Sequence, residues 1–292
     1  MARSIERWWN ITLSDPHCGF RYGLMMEGVV LPPIDTDSDE WTPHLTGTQK
    51  WLAKHWEEDR KNIIKLVGKE PCVVTIMGDS VQGNDIGSNW LVSPRMDDQY
   101  AIFIHALRPW IESFPGLRAI RMVKGTLWHS GKHGTHENTL ARLLQTTFGV
   151  DARTWHQWLL TVNGVTFDCA HKGPVPGYRT WLNGDDVRRY VRDIQIKHLT
   201  AHMEPPMVVL RGHYHDRIIE TVRWFGLDRT VETWGAICPA YSIFKDDYTI
   251  SATRSKSHMY SGTLLWELDK GRVLACHDFS HVLDLRRKEI IR

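Results

Sequence analysis

The chain has 292 residues, with 36 Lys and Arg against 34 Asp and Glu and a net charge of +2. That length buries one large α/β core or two modest ones, and with no linker-like stretch residues 1–292 are expected to form a single domain. Near-neutral charge removes any argument from a strongly basic surface, and five scattered cysteines without a CxxC pair argue against a disulfide scaffold.

Trp9 to Leu13 reads as a strand that closes at Ser14-Asp15. Residues 20 to 44 look irregular, with Pro32-Pro33 and the acids Asp35, Asp37, Asp39 and Glu40, and are expected to be a solvated loop, with a lid as the alternative. A stripe through Trp51, Leu52, His55, Trp56, Ile63, Ile64 and Val67 predicts a helix over 48–67. PCVVTIM, residues 71–77, is a β-branched run ending in Gly78-Asp79 and reads as a buried strand. A helix over 97–114, a strand over 117–123 and a helix over 136–148 follow. Asn163-Gly164 between alternating segments predicts a hairpin. After it come a helix from Asp185 to about His202, a strand over 207–210, and strands joined by turns to the end.

The N-terminal MARSIERWWNITLSD has no apolar run behind its charges, and no segment approaches the roughly 20 apolar residues of a membrane span. A cytoplasmic protein without membrane contact is expected. Sixteen histidines raise the prospect of a metal site, because neutral imidazole is the commonest metal-binding side chain. Fourteen tryptophans fit core packing, with stacking on nucleobases as the other reading.

Several apolar strands deliver metal-competent residues at their carboxyl ends, where ligands of open α/β sheets collect. Asp15 and His17 are two residues apart, so an extended chain points both to one side. Asp79 follows Gly78, and a carboxylate there can bridge two cations through its two oxygens or simply cap a turn. His171 follows the second hairpin strand, where a structural role is the ordinary reading. Gly212-His213-Tyr214-His215 sets two imidazoles just past a buried strand.

In this order, DxH, GD, a lone His and GHxH together resemble the calcineurin-like metallophosphoesterase superfamily, over Asp15 to His215. The resemblance implies an α/β fold of two packed mixed β-sheets flanked by helices. It implies two divalent ions, Mn, Fe or Zn, and hydrolysis of a phosphate ester through a hydroxide activated between them. Asp15, His17 and His215 would serve the first ion, Asp79 would bridge, and His171 and His213 would serve the second. The family's GNH element is altered: here Gly125-Thr126-Leu127-Trp128-His129 stands in its place. His129 is expected to take the family histidine's catalytic role. Thr126, Asn84, Glu137 or a water remain the candidates for the missing Asn ligand, although Glu137 also suits a helix start and Asn84 a turn. His133 and His136 read as solvated loop residues.

Arg21 and Lys172 are candidates for holding phosphate oxygens, with solvated charge as the ordinary reading. A phosphodiester of nucleic acid is the first substrate expected, from the tryptophans and the basic stretches Arg188-Arg189 and Arg286-Arg287-Lys288. The GTxxH variant resembles some phage-encoded relatives. A fold-retaining binding or scaffold protein without catalysis is the alternative function, supported by the altered GNH element. A mononuclear zinc module would need a closed cysteine-rich site, which the scattered cysteines oppose. The sequence does not fix the oligomeric state.

Overall fold

The computed structural model describes residues 6–35, 37–84, 90–176, 182, 184–226, 229–243 and 258–285. Its elements alternate early: β1 (Arg7–Leu13), α1 (Gly47–Val67), β2 (Cys72–Ile76), α2 (Met96–Ser113), β3 (Leu117–Val123), α3 (Leu127–Ser130), α4 (Thr135–Phe148) and β4 (Ala152–Trp155). The hairpin β5 (Gln157–Val162) and β6 (Val165–Ala170) precedes α5 (Asp185–Thr200) and β7 (Val208–Arg211). Six further strands follow: β8 (Ile218–Phe225), β9 (Thr230–Ile237), β10 (His258–Ser261), β11 (Leu264–Asp269), β12 (Arg272–Asp278) and β13 (His281–Asp284).

The architecture is α/β, with two large mixed sheets and helices on their outer faces. One sheet has the order β12-β11-β1-β2-β3-β4 and the other β5-β6-β7-β9-β8, while β10 and β13 pair separately. Strands β1 to β4 run parallel, as do β6, β7 and β9. Alternation along β2 shows how the layers arise, because successive side chains point to opposite faces. Cys72, Val74 and Ile76 join α1, α2 and α4 in one core, whereas Val73 and Met77 face Phe167, Leu210 and Trp266 in the core between the sheets. A third cluster seats Val187, Val191 and Ile194 of α5 on the outer face of the second sheet. A capping box starts α1: Thr46 Oγ1 accepts from the Gln49 amide at 3.1 Å, and Gln49 Oε1 accepts from the Thr46 amide at 2.9 Å.

Residues 20–44 are irregular, but they are not a solvated loop throughout. Leu24, Met25, Val29 and Leu31 are buried in the first core, and short bridges tie Phe20 to Leu91, Gly23 to Ser242 and Leu31 to Trp41. The apolar half of the segment has enough side-chain area to fill a core; only the acidic half, with Asp35, Asp37, Asp39 and Glu40, is exposed. No helix among the described residues is long and apolar enough to cross a membrane.

Candidate active site

The parallel strands send their carboxyl ends to one edge, and the residues just past β1, β2, β3, β6 and β7 meet there. Asp15, His17, Asp79, His171 and His215 are each 5% exposed or less, and His213 is partly buried. Two groups of three donors result, Asp15 with His17 and His215, and Asp79 with His171 and His213. Within each group one ligand atom per residue lies within 4.8 Å of the others, a geometry able to hold a metal ion. The groups adjoin: His17 Nε2 is 3.9 Å from Asp15 Oδ1 and 3.8 Å from Asp79 Oδ2, and His171 Nε2 is 3.0 Å from Asp79 Oδ2 and 3.9 Å from Asp15 Oδ1.

The backbone bends sharply to bring these side chains together. Asp15, His17, Asp79, His213 and His215 have φ of 47°, 42°, 46°, 72° and 48°. They are five of the nine non-glycine residues with positive φ among the described residues. Non-glycine residues avoid this region, and strain of this kind concentrates at functional sites. Glycines allow the close approaches: a Cβ on Gly125 would lie 1.9 Å from Asp79 Oδ1, and one on Gly78 2.6 Å from His171 Nδ1.

Outer partners fix the tautomers. His171 Nδ1 lies 2.7 Å from the Met77 carbonyl, and His129 Nδ1 lies 2.7 Å from the Gln82 carbonyl. Carbonyls only accept, so these nitrogens carry protons and Nε2 is the inward lone-pair donor of the neutral ring. His17 Nδ1 pairs with Gln82 Oε1 at 2.9 Å and His215 Nδ1 with Ser242 Oγ at 3.2 Å. Metal-binding histidines are typically held this way, with the second nitrogen anchored to oxygen. His171 Nε2 is buried without a well-aligned hydrogen bond and faces a carboxylate oxygen, a juxtaposition that only a proton or a cation relieves.

Electrostatics agree. Burial would raise the Asp15 carboxyl, yet His171 and His215 outweigh it and hold it down at about 2. Burial likewise opposes ionisation of Asp79, and His171 and His17 drive it far below the usual carboxylate range. Burial would lower His171, but Asp79 and Asp15 lift it to about 9. The two carboxylates therefore set up a local potential that favours a cation. His213 is depressed to about 4, by burial first and then by His171.

His129 arrives on α3 and stands 9% exposed beside the centre, its ring 4.5 Å from that of His17. With His17 and Asp79 it makes a third group of metal-competent donors. Thr126 lies against Asp79 of the second group. Its amide donates to Asp79 Oδ1 at 2.7 Å, and its hydroxyl reaches both Asp79 oxygens at 3.2 and 3.4 Å. Asn84 is exposed and accepts from Gln99 at 3.4 Å. Glu137, in the first turn of α4, accepts from Ser130 Oγ at 2.9 Å, and burial pushes it up to about 7. Of the three protein candidates for the missing ligand, Glu137 stands outside the donor groups, Asn84 is exposed, and Thr126 alone touches a member of the second group. His136 is not a solvated loop residue, because its Nδ1 meets the Tyr100 hydroxyl at 2.7 Å; His133 is exposed.

Arg21 is exposed and lines a cleft of about 520 Å³ with Tyr22, Trp51 and Leu283, a lining that contains none of the candidate ligands. Lys172 is exposed. Arg188 is engaged by Asp185 and by Glu220 at 2.7 Å, so its charge is already compensated; Arg286-Arg287-Lys288 lies outside the described residues. Sequence reasoning missed Gln82, whose backbone and side chain orient two imidazoles, and Ser242. Neither carries a signal in a single sequence.

No family model matches the chain, and no curated protein matches it. Among solved structures, it is similar to a conserved uncharacterized protein, described as a predicted phosphoesterase, from Streptococcus pneumoniae TIGR4. The identity is 12%, the TM-score 0.34, and the match covers 96% of this chain and 90% of that one.

Proposed function

We propose that the chain is a hydrolase of phosphate esters that works with two divalent metal ions, Mn, Fe or Zn. The observation that carries the reading is the pair of adjoining donor groups, each a carboxylate with two imidazoles, built at strained strand ends, with His17, His171 and His215 anchored through Nδ1. Asp15, His17 and His215 would hold one ion, His171 and His213 the other, and Asp79 would lie between them. The mixed nitrogen and oxygen set suits Mn, Fe or Zn better than calcium. Two such ions supply Lewis acidity toward the phosphoryl oxygens and acidify a water.

The chain's own residues do the rest. Asp15 and Asp79 keep the centre negative enough to retain cations, and Gln82, Met77 and Ser242 hold the imidazoles in place. His129, once protonated on Nε2 as well, would pass that proton to the departing oxygen of the ester. Leu127 and Trp128, on the same short helix, are 71% and 65% exposed and offer an apolar surface beside His129. That surface favours a phosphodiester with an aromatic or nucleoside group over inorganic or small aliphatic phosphates. The altered glycine loop favours a second reading, a binding protein with weak catalysis, because Thr126, where the family Asn would stand, bonds to Asp79.

Hydrolysis of bis-p-nitrophenyl phosphate and p-nitrophenyl phosphate with added manganese tests the two readings. Diester cleavage that is lost in Asp79→Asn and His213→Ala supports the hydrolase. Stoichiometric metal without turnover of either ester favours the binding protein, and no retained metal removes both.

A further inference from the structure

We propose that His55, Glu58 and His281 form a separate site for one divalent transition-metal ion. His55 and Glu58 are three residues apart on α1 and so share a face, while His281 opens β13 and lies against them. One ligand atom from each of the three lies within 4.8 Å of the other two. His55 Nδ1 and Glu58 Oε2 are 2.9 Å apart, and the two imidazoles stack at 3.8 Å between centroids. Ligands of one zinc ion at 2.0–2.2 Å stand roughly 3.3–3.5 Å from each other, so the two rings must tilt out of their stack for both lone pairs to meet one ion. Lys54 reaches only the other oxygen of Glu58, at 3.7 Å.

The surroundings are those of a metal site rather than of a chance surface pair. Asp59, 1% exposed, holds His281 Nε2 at 2.7 Å and also accepts from the Tyr241 hydroxyl at 2.5 Å. A buried carboxylate on one imidazole nitrogen orients the ring and makes the other nitrogen, here Nδ1, the better donor. The Trp51 ring walls the site, 4.3 Å from His55 and 6.5 Å from His281, and lowers the local dielectric. Trp51 and Leu283 also line the 520 Å³ cleft next to the site. Two nitrogens and one carboxylate oxygen suit zinc or cobalt rather than magnesium or calcium. Three protein ligands leave a position for water, so the ion would exchange.

The site shares no ligand with the centre between the sheets, and the two can be counted apart. Equilibrium dialysis against micromolar zinc, followed by elemental analysis, should give the parent protein one more equivalent than His281→Ala. Glu58→Gln alters a side chain that is 44% exposed and, among the described residues, pairs with Lys54 and His55, so the fold should stay intact. It should weaken that last equivalent at least tenfold in a calorimetric titration. Equal zinc content in parent and folded His281→Ala, unchanged affinity in Glu58→Gln, or binding only at millimolar zinc would overturn the proposal.

Discussion

Substituting Gly125 by alanine is the sharpest test of the site's construction. A Cβ there would lie 1.9 Å from Asp79 Oδ1, 2.4 Å from the Asp79 amide and 2.8 Å from Ser130 Oγ. Ordinary contacts begin near 3.4 Å, so the carboxylate or its backbone must retreat by about 1.5 Å. Rotation of a flexible side chain cannot absorb this, since the Asp79 main chain is also in the way. Misplacing a reacting group by about 1 Å costs on the order of 100-fold in rate. A fall of at least 100-fold in kcat/KM is therefore expected, about 2.7 kcal/mol of lost transition-state stabilisation. Overpacking should also remove about 1–3 kcal/mol of stability. Gly47→Ala is the control: its Cβ meets nothing within 4 Å, and both activity and stability should hold. Manganese-dependent diester hydrolysis and thermal melts on the same preparations decide the matter. Folded Gly125→Ala with more than a third of parental kcat/KM would refute both the packing argument and the central position of Asp79.

Three other perturbations follow from the same geometry. Glu137 is raised by burial from an ordinary 4.5 to about 7, so the unfolded chain ionises first and stability falls as pH climbs from about 4.5 through 7. The loss is on the order of 3 kcal/mol at higher pH, and Glu137→Gln should flatten that slope in melts taken across the range; parallel profiles would refute it. Arg211, 2% exposed, binds Asp168 Oδ2 at 3.0 Å and the Tyr190 hydroxyl, so Arg211→Ala strands a buried carboxylate and should cost about 3–5 kcal/mol in denaturant titrations; a loss under about 1 kcal/mol would contradict this. His129→Ala should slow alkyl diesters by about 100-fold or more and bis-p-nitrophenyl phosphate far less, because p-nitrophenolate departs without a proton; equal losses would exclude a role at the leaving oxygen.

The parts of the fold that sequence makes plain are those where one local pattern settles the structure. Residues 72–76 are buried on both faces and read as an unbroken apolar run, and Asn163-Gly164 has φ of 47° and 81°, as a tight hairpin turn requires. The candidate ligands stand out because each follows such a strand. Elements that depend on distant partners are silent. β4 is a four-residue strand with exposed positions, and β8 and β9 carry Glu220, Arg223 and Glu232, so neither shows a buried-strand pattern. α3 is too short for helical periodicity, although it delivers His129. Gln82 holds His17 and His129 only after β1, β2 and α3 have met, and nothing near it in the chain announces that.

The cost of building the centre gives a last consequence. Left-handed backbone at five non-glycine positions costs roughly 1–2 kcal/mol each, and burying two carboxylates among imidazoles adds a desolvation penalty. The hydrogen bonds to Gln82, Met77 and Ser242, and those that Asp15 and Asp79 accept from the His213 and Thr126 amides, offset part of this, but the two buried carboxylates still lie side by side. A cation that binds the folded chain alone offsets the rest, contributing RT ln(1 + [M]/Kd), or about 2.7 kcal/mol at 100 times Kd. Manganese added to chelator-treated protein should therefore raise the melting temperature by several degrees. In Asp79→Asn, with one carboxylate gone, the gain should shrink sharply. If the metal-free protein melts where the loaded protein does, and Asp79→Asn melts with both, the strained strand ends are held by packing alone and the two donor groups have some purpose other than binding cations.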